Sequence, residues 1–364
     1  MFLRITVPTF VVFLLFCTAP LLAVEASRPA LSLEERLQRL EVNQAELYHT
    51  FAEKKSAGLS EAISENMTLS GLIEVEGNAL RQRLDDHGTV SASDLTLATA
   101  QLGLDARVSE EVGVNLTLLY EEDGELEVDQ AFMRLDQGRW NLSAGRFYLP
   151  FGAFHSHFIS DPLPLILGET RQSAIMIGYN QGLFDLTVFA FNGNKDKVGS
   201  EDHVNDGGLS LTVAPYEGLE FGASVLSDLA ESGAELLNGN GYSHRVAGWS
   251  AYAHLQQGRL ILEAEYLAAA RAIAANDLAD NANRPQTWNL EAAWALTPGV
   301  ELAARYGGSR ELADAPRHEY GADLSWSPVA AATVSFEYLR SYFDTSLTAA
   351  KRSDQLTMQV ALAF

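Results

Sequence analysis

The side chains best suited to chemistry fall in one stretch of the chain, residues 144–171. His155 and His157 alternate, Ser156 stands between them and Asp161 follows, so the parts of a hydrolytic triad and two ligands of a metal site lie close together. Neither chemistry is completed by its context. A serine nucleophile needs a strand–turn–helix elbow to lift its hydroxyl, and none surrounds Ser156. A metal needs three or four ligands, none stands ready beside the two histidines, and iron(III) prefers oxygen donors. The expectation is therefore no catalytic site, no metal and no cofactor, with His155 and His157 as polar tips of a packed loop. Arg146 and Arg171 flank that loop, and Asp161 and Glu169 lie within it. Such opposed charges either set a transverse field across a constriction or pair to pin the loop, since buried charges need partners.

The loop itself, residues 150–170, carries Phe151, Phe154, Phe158, Leu163, Leu165 and Leu167. A connection so apolar folds against something rather than waving in water. What it folds against is set by the flanking elements, which have the two-residue period of β-strands. Trp288, Leu290, Ala292, Trp294 and Leu296 share one face, with Asn289 and Glu291 on the other. After the Thr297-Pro298-Gly299 turn, Val300, Leu302, Ala304 and Tyr306 oppose Glu301 and Arg305. Similar runs follow to the last strand, Leu356, Met358, Val360, Leu362 and Phe364, which ends in an aromatic residue.

Reading the alternation across residues 66–364 gives about 16 strands, each near the ~9 to 11 residues that cross a bilayer at barrel tilt. Tight turns such as Gln257-Gly258 alternate with long polar connections such as residues 193–205 and 273–285. The expected fold is all-β: a transmembrane antiparallel barrel in an outer membrane, in contact with lipid. A soluble sandwich is the competing architecture, but tyrosine and tryptophan recur at strand ends, where a membrane girdle places them. The barrel lumen is then the protected place for the loop at 150–170. The expected inward face carries Glu74, Glu76, Glu263, Glu265, Glu291, Glu301, Glu319, Asp323 and Glu337 against Arg305 and a few other arginines. That excess argues for cation preference and against a phosphate-selective ladder.

Ahead of the barrel, residues 1–26 read as an export signal, with Arg4 before an apolar run and small residues at Ala23 and Ala26. Its removal takes away Cys17, the single cysteine, and with it disulfide and thiol chemistry. Residues 27–60 read as a periplasmic helix and linker: Ser32 and Glu35 form a capping box, and Leu33, Leu37, Leu40, Leu47 and Phe51 make a seam with Gln44 inside it. That seam serves a parallel coiled coil, with a homotrimer as the expected assembly, or a single amphipathic helix on another surface. The formal charge of -23, from Lys+Arg 25 against Asp+Glu 48, excludes nucleic acid as a partner.

One resemblance is specific. Gly145-Arg146-Phe147-Tyr148-Leu149-Pro150-Phe151-Gly152, then Ser160-Asp161-Pro162-Leu163, Leu167-Gly168-Glu169-Thr170-Arg171 and Gly178-Tyr179 resemble the LbtU family of siderophore porins. The resemblance implies an outer-membrane channel admitting iron–siderophore complexes passively. Arg146, His155, His157, Asp161, Glu169 and Arg171 are the residues expected at its constriction or against its solute. A general or cation-preferring diffusion porin, and a structural protein tethered by its coiled coil, are the alternatives.

Overall fold

Side-chain alternation becomes sheet because every second residue can then face lipid or lumen while each backbone N–H finds a neighbouring strand. In the computed structural model, which describes residues 66–364 apart from 123, 199–202, 240 and 280–282, eighteen strands form. The first half holds β1 (Met67–Leu84), β2 (Thr89–Arg107), β3 (Val112–Tyr120), β4 (Glu127–Gln137), β5 (Trp140–Tyr148), β6 (Arg171–Asn180), β7 (Phe184–Phe191), β8 (Asp196–Lys197) and β9 (Asp206–Tyr216). The second half holds β10 (Leu219–Leu226), β11 (Gly241–Tyr242), β12 (Gly248–Gln257), β13 (Leu260–Ala269), β14 (Gln286–Thr297), β15 (Val300–Arg310), β16 (His318–Val329), β17 (Ala332–Tyr342) and β18 (Ala350–Ala363). Sixteen of them close into one antiparallel barrel, and the two-residue β8 and β11 pair in parallel outside it. The strand number and the all-β class match the sequence pattern. A short helix, α1 (Leu163–Gly168), interrupts the long loop after β5. The expected signal and coiled coil, residues 1–26 and 27–60, lie outside the described residues.

Three strand limits differ from those the alternation suggests, which are 80 for the end of β1, 94 for the start of β2 and 243 for the start of β12. β1 and β2 run on to Leu84 and start at Thr89, making one long hairpin. β12 begins at Gly248 because Val246 packs into the cluster beneath the loops instead of extending the strand.

The two faces of the wall are chemically opposite. Ile175, Leu290, Leu324, Phe336, Met358 and Val360 stand outward and exposed, an apolar belt suited to lipid. Aromatic residues border it at both ends: Trp140 stacks near Tyr179 beside the tight turns, while Tyr306, Tyr320 and Tyr342 form a chain of ring contacts beside the long loops. Inward, cross-strand partners form a row: His254 opposes Glu263, Glu263 opposes Glu291, Glu291 opposes Arg305, and Arg305 opposes Gly321. This row, drawn from five strands, is the platform for the loop.

The barrel closes between β1 and β18. β1 pairs with β18 as well as β2, and Phe364 exchanges two backbone hydrogen bonds with Gly71, at 2.9 and 3.0 Å. Its ring lies where a side chain on Gly71 would stand, 2.2 Å from the position of an added Cβ. Deleting Phe364 should therefore lower the yield of heat-modifiable barrel in membrane fractions, read as the shift in gel mobility between unheated and boiled samples. Wild-type yield would show that the seam closes without it.

Candidate functional site

The connection between β5 and β6 has few backbone partners of its own, so its N–H groups need acceptors elsewhere. The inner wall supplies them, largely as carboxylates. Gly152 donates to Ser224 Oγ at 3.0 Å, Ala153 and Phe154 donate to the two oxygens of Glu265 at 3.0 and 2.8 Å, and His157 donates to Glu291 at 2.7 Å. Ser160 donates to Glu337 at 2.9 Å. The acceptors belong to β10, β13, β14 and β17, so the loop runs inside the barrel along the wall opposite its own strands. Charge-assisted bonds of this kind are stronger than neutral ones and tolerate an irregular backbone.

Apolar burial fixes the rest. Phe151, Leu163 and Leu167 are buried, and Phe151 and Leu167 join Phe147, Phe189, Leu229 and Leu267 in one cluster. Leu163, the first residue of α1, lies against the wall near Gly307 and outside that cluster. Three such side chains contribute roughly 5 kcal/mol or more relative to a loop in water. Phe154, Phe158 and Leu165 are half-buried. The wall makes room for the aromatics with glycine: a Cβ on Gly321 would come within 2.6 Å of the Phe158 ring, and one on Gly248 within 2.7 Å of Phe151.

Arg305 is the hub. Its guanidinium bonds Glu291 at 2.9 Å, Ser156 Oγ at 2.6 Å and the Ser160 carbonyl at 2.8 Å, and it stacks on Phe158 with 4.3 Å to the ring centre. Glu319 lies 3.7 Å away on its other side. A planar fork of five donors suits this position as a lysine would not.

Of the residues expected at the constriction, His155 and His157 project from the loop onto the inner wall. Both imidazoles turn to Glu263, with His155 Nδ1 at 3.3 Å and His157 Nε2 at 3.9 Å, and His157 Nδ1 donates to Glu301 at 2.8 Å. The wall histidine His254 donates to the same Glu263 at 2.6 Å. Glu263, and after it Glu301, push the His157 imidazole up to about 9, and Glu263 raises His155 as well. His157 is thus a cation at neutral pH. Asp161 is exposed, and only its carbonyl meets Arg305, at 3.4 Å. The Glu169 carbonyl accepts from Gly233, tying the end of the loop to the connection after β10.

The two arginines are placed otherwise than expected. Arg171 forks onto Glu127 at 2.9 and 3.0 Å and onto Asp129 at 2.5 Å, not onto Asp161 or Glu169; Tyr148 donates to the same Asp129 at 2.7 Å. Arg146 opposes Ser173 and Ala131 and shares the outward face of Leu142, Met133 and Ile175. Two-residue steps from Leu142 already assign it that face. The acidic inward positions are also less hydrated than the sequence suggests, because the loop buries Glu263, Glu265, Glu291, Asp323 and Glu337. Glu265, Arg305, Glu337 and His254 escape sequence reasoning as loop partners, although inward parity marks each as facing the bore.

Removing Arg305 leaves Glu291 and Glu319 buried without their cation, which costs about 3 to 5 kcal/mol where a buried pair is broken. Arg305→Leu should speed hydrogen exchange of the backbone amides from Ala153 to Ser160, with Arg305→Lys intermediate. Exchange as slow as in the wild type would mean that apolar burial alone holds the loop.

No family model matches the chain. A UPF0422 protein of Coxiella burnetii is 27% identical over 157 residues, which is 40% of this chain, and the match spans about a third of that relative's length (34%). Solved structures resemble it over most of its length. The outer membrane channel DcaP of Acinetobacter baumannii is 17% identical with a TM-score of 0.59, covering 82% of this chain and 97% of that one. An anion-selective porin from Comamonas acidovorans is 12% identical with a TM-score of 0.60, covering 82% and 99%. OprB of Pseudomonas putida is 13% identical with a TM-score of 0.57, covering 84% and 96%. At these identities the likeness establishes the fold, which is the sixteen-stranded barrel of outer-membrane porins.

Proposed function

We propose that the protein is a passive channel of an outer membrane, through which small solutes diffuse past the loop at residues 150–170. The observation that carries this reading is the loop itself, laid along the inner wall of a closed barrel. The apolar belt, the two aromatic borders and the likeness to porin structures support the membrane assignment. Purified barrel should make liposomes swell in sugars up to a size limit. A structural tether would give no swelling with any solute.

Charge gives the bore its preference. Glu263, Glu265, Glu291, Glu301, Glu319, Asp323 and Glu337 stand around the loop, with Arg305 and His157 to offset them. Planar-bilayer reversal potentials in a salt gradient should report cation preference. Anion preference would mean that the carboxylates spent on loop amides no longer face the permeant path.

The finer solute class rests on the resemblance of residues 145–179 to siderophore porins. Because Arg146 faces outward and Arg171 is already paired, the bore suits neutral or cationic iron complexes better than anionic ones. Uptake of such a complex should fall in a deletion strain and should not need the energising inner-membrane complex. The coiled coil expected at residues 27–60 extends the proposal to a homotrimer, with Gln44 setting register. Cross-linking of a chain truncated before Met67 should lose the trimer, and a trimer that persists would put the contacts in the barrel wall.

A further inference from the structure

His254 contributes nothing to holding the loop backbone, yet it is placed with care. It opposes Glu263 in the register of β12 and β13, and its ring meets that of His155 at 5.7 Å, nearly perpendicular. One ligand atom each from His155, His254 and Glu263 can be chosen so that all lie within 4.8 Å of one another. The loop supplies the first and two neighbouring strands the others, so the donors converge from two sides as a chelate requires. Sequence alone shows only the alternating histidines and misses the donors that the register brings to them.

The surroundings favour an ion over a plain ion pair. A cavity of about 10 Å³ adjoins the cluster, lined by His155, Glu263, Tyr252 and Asn289. That volume suits one water-sized body. Asn289 Oδ1 is buried without a hydrogen-bond partner, so it offers an acceptor to a metal-bound water. His155 is 45% exposed, which leaves an open side toward the bore. Two imidazole nitrogens and a carboxylate oxygen are the donor set of borderline divalent ions, and a water completes four-coordination.

From this arrangement we infer that His155, His254 and Glu263 form a binding site for a divalent ion of the zinc class, which ties the loop to the wall. Calcium and magnesium, which want more oxygen donors, are excluded by the same ligand set. An ion there favours the loop-in conformation by mass action, because it binds only when loop and wall are together. The site thereby makes the bore responsive to the metal content of the surrounding fluid.

Calorimetric titration of untagged, chelator-stripped barrel in detergent with zinc chloride tests this, and needs no channel activity. One site per chain is expected, absent with calcium chloride. His254→Asn and His155→Asn should each weaken zinc binding at least about tenfold, the scale on which metal-site substitutions act. His244→Ala, in an exposed loop, should bind as the wild type does. Unchanged heat-modifiable mobility certifies that each variant is folded. In planar bilayers the same zinc concentration should reduce wild-type single-channel conductance and leave His254→Asn unaffected. Equal zinc affinity in the wild type and both asparagine variants, or no stoichiometric binding at all, would overturn the site and leave the cluster as an ion pair.

Discussion

The structure depends on one exchange: backbone amides of an irregular loop donate to carboxylates of the barrel wall. A loop of this length inside a bore cannot leave its N–H groups unpaired, and it forms little regular structure to pair them internally. Glu265, Glu291 and Glu337 accept from Ala153, Phe154, His157 and Ser160. Burying those carboxylates is costly without compensation, which Arg305 and the loop hydroxyls of Ser156 and Ser160 provide. Loop and wall are therefore each unsatisfied alone. The acidity of the inner face is thereby a device for fixing the loop in place.

That mutual dependence explains how much of the molecule is legible in the chain. Alternation around Trp288, Leu302, Tyr320 and Phe336 marks strands directly, because the two-residue period is imposed by the pleat whatever the partner strand. The apolar loop is legible for the same kind of reason: Phe151, Leu163 and Leu167 need burial in any fold. What the chain does not display is register. The row from His254 through Glu263, Glu291 and Arg305 to Gly321 is written in cross-strand pairing, and successive members lie 9 to 28 residues apart in the chain.

Arg146 and Arg171 show the cost of reading sites by sequence proximity. Both flank the loop, yet a strand turns successive residues to opposite faces, and Arg146 falls on the outward one with Leu142. Arg171 is at a strand end, where Glu127 and Asp129 from β4 reach it before any loop residue does. The shared porin fold fixes none of this. At 12% identity an anion-selective porin shares the fold, and the architecture leaves the inward side chains undetermined.

The site requires that the loop occupy the bore. Single-channel conductance of a barrel whose loop is shortened by joining Gly152 to Gly168 tests that most directly, with heat-modifiable mobility confirming that the variant closes. Conductance should rise severalfold over the wild type in the same salt. Conductance equal to that of the wild type would contradict the account, since the loop would then lie outside the path of the permeating ions.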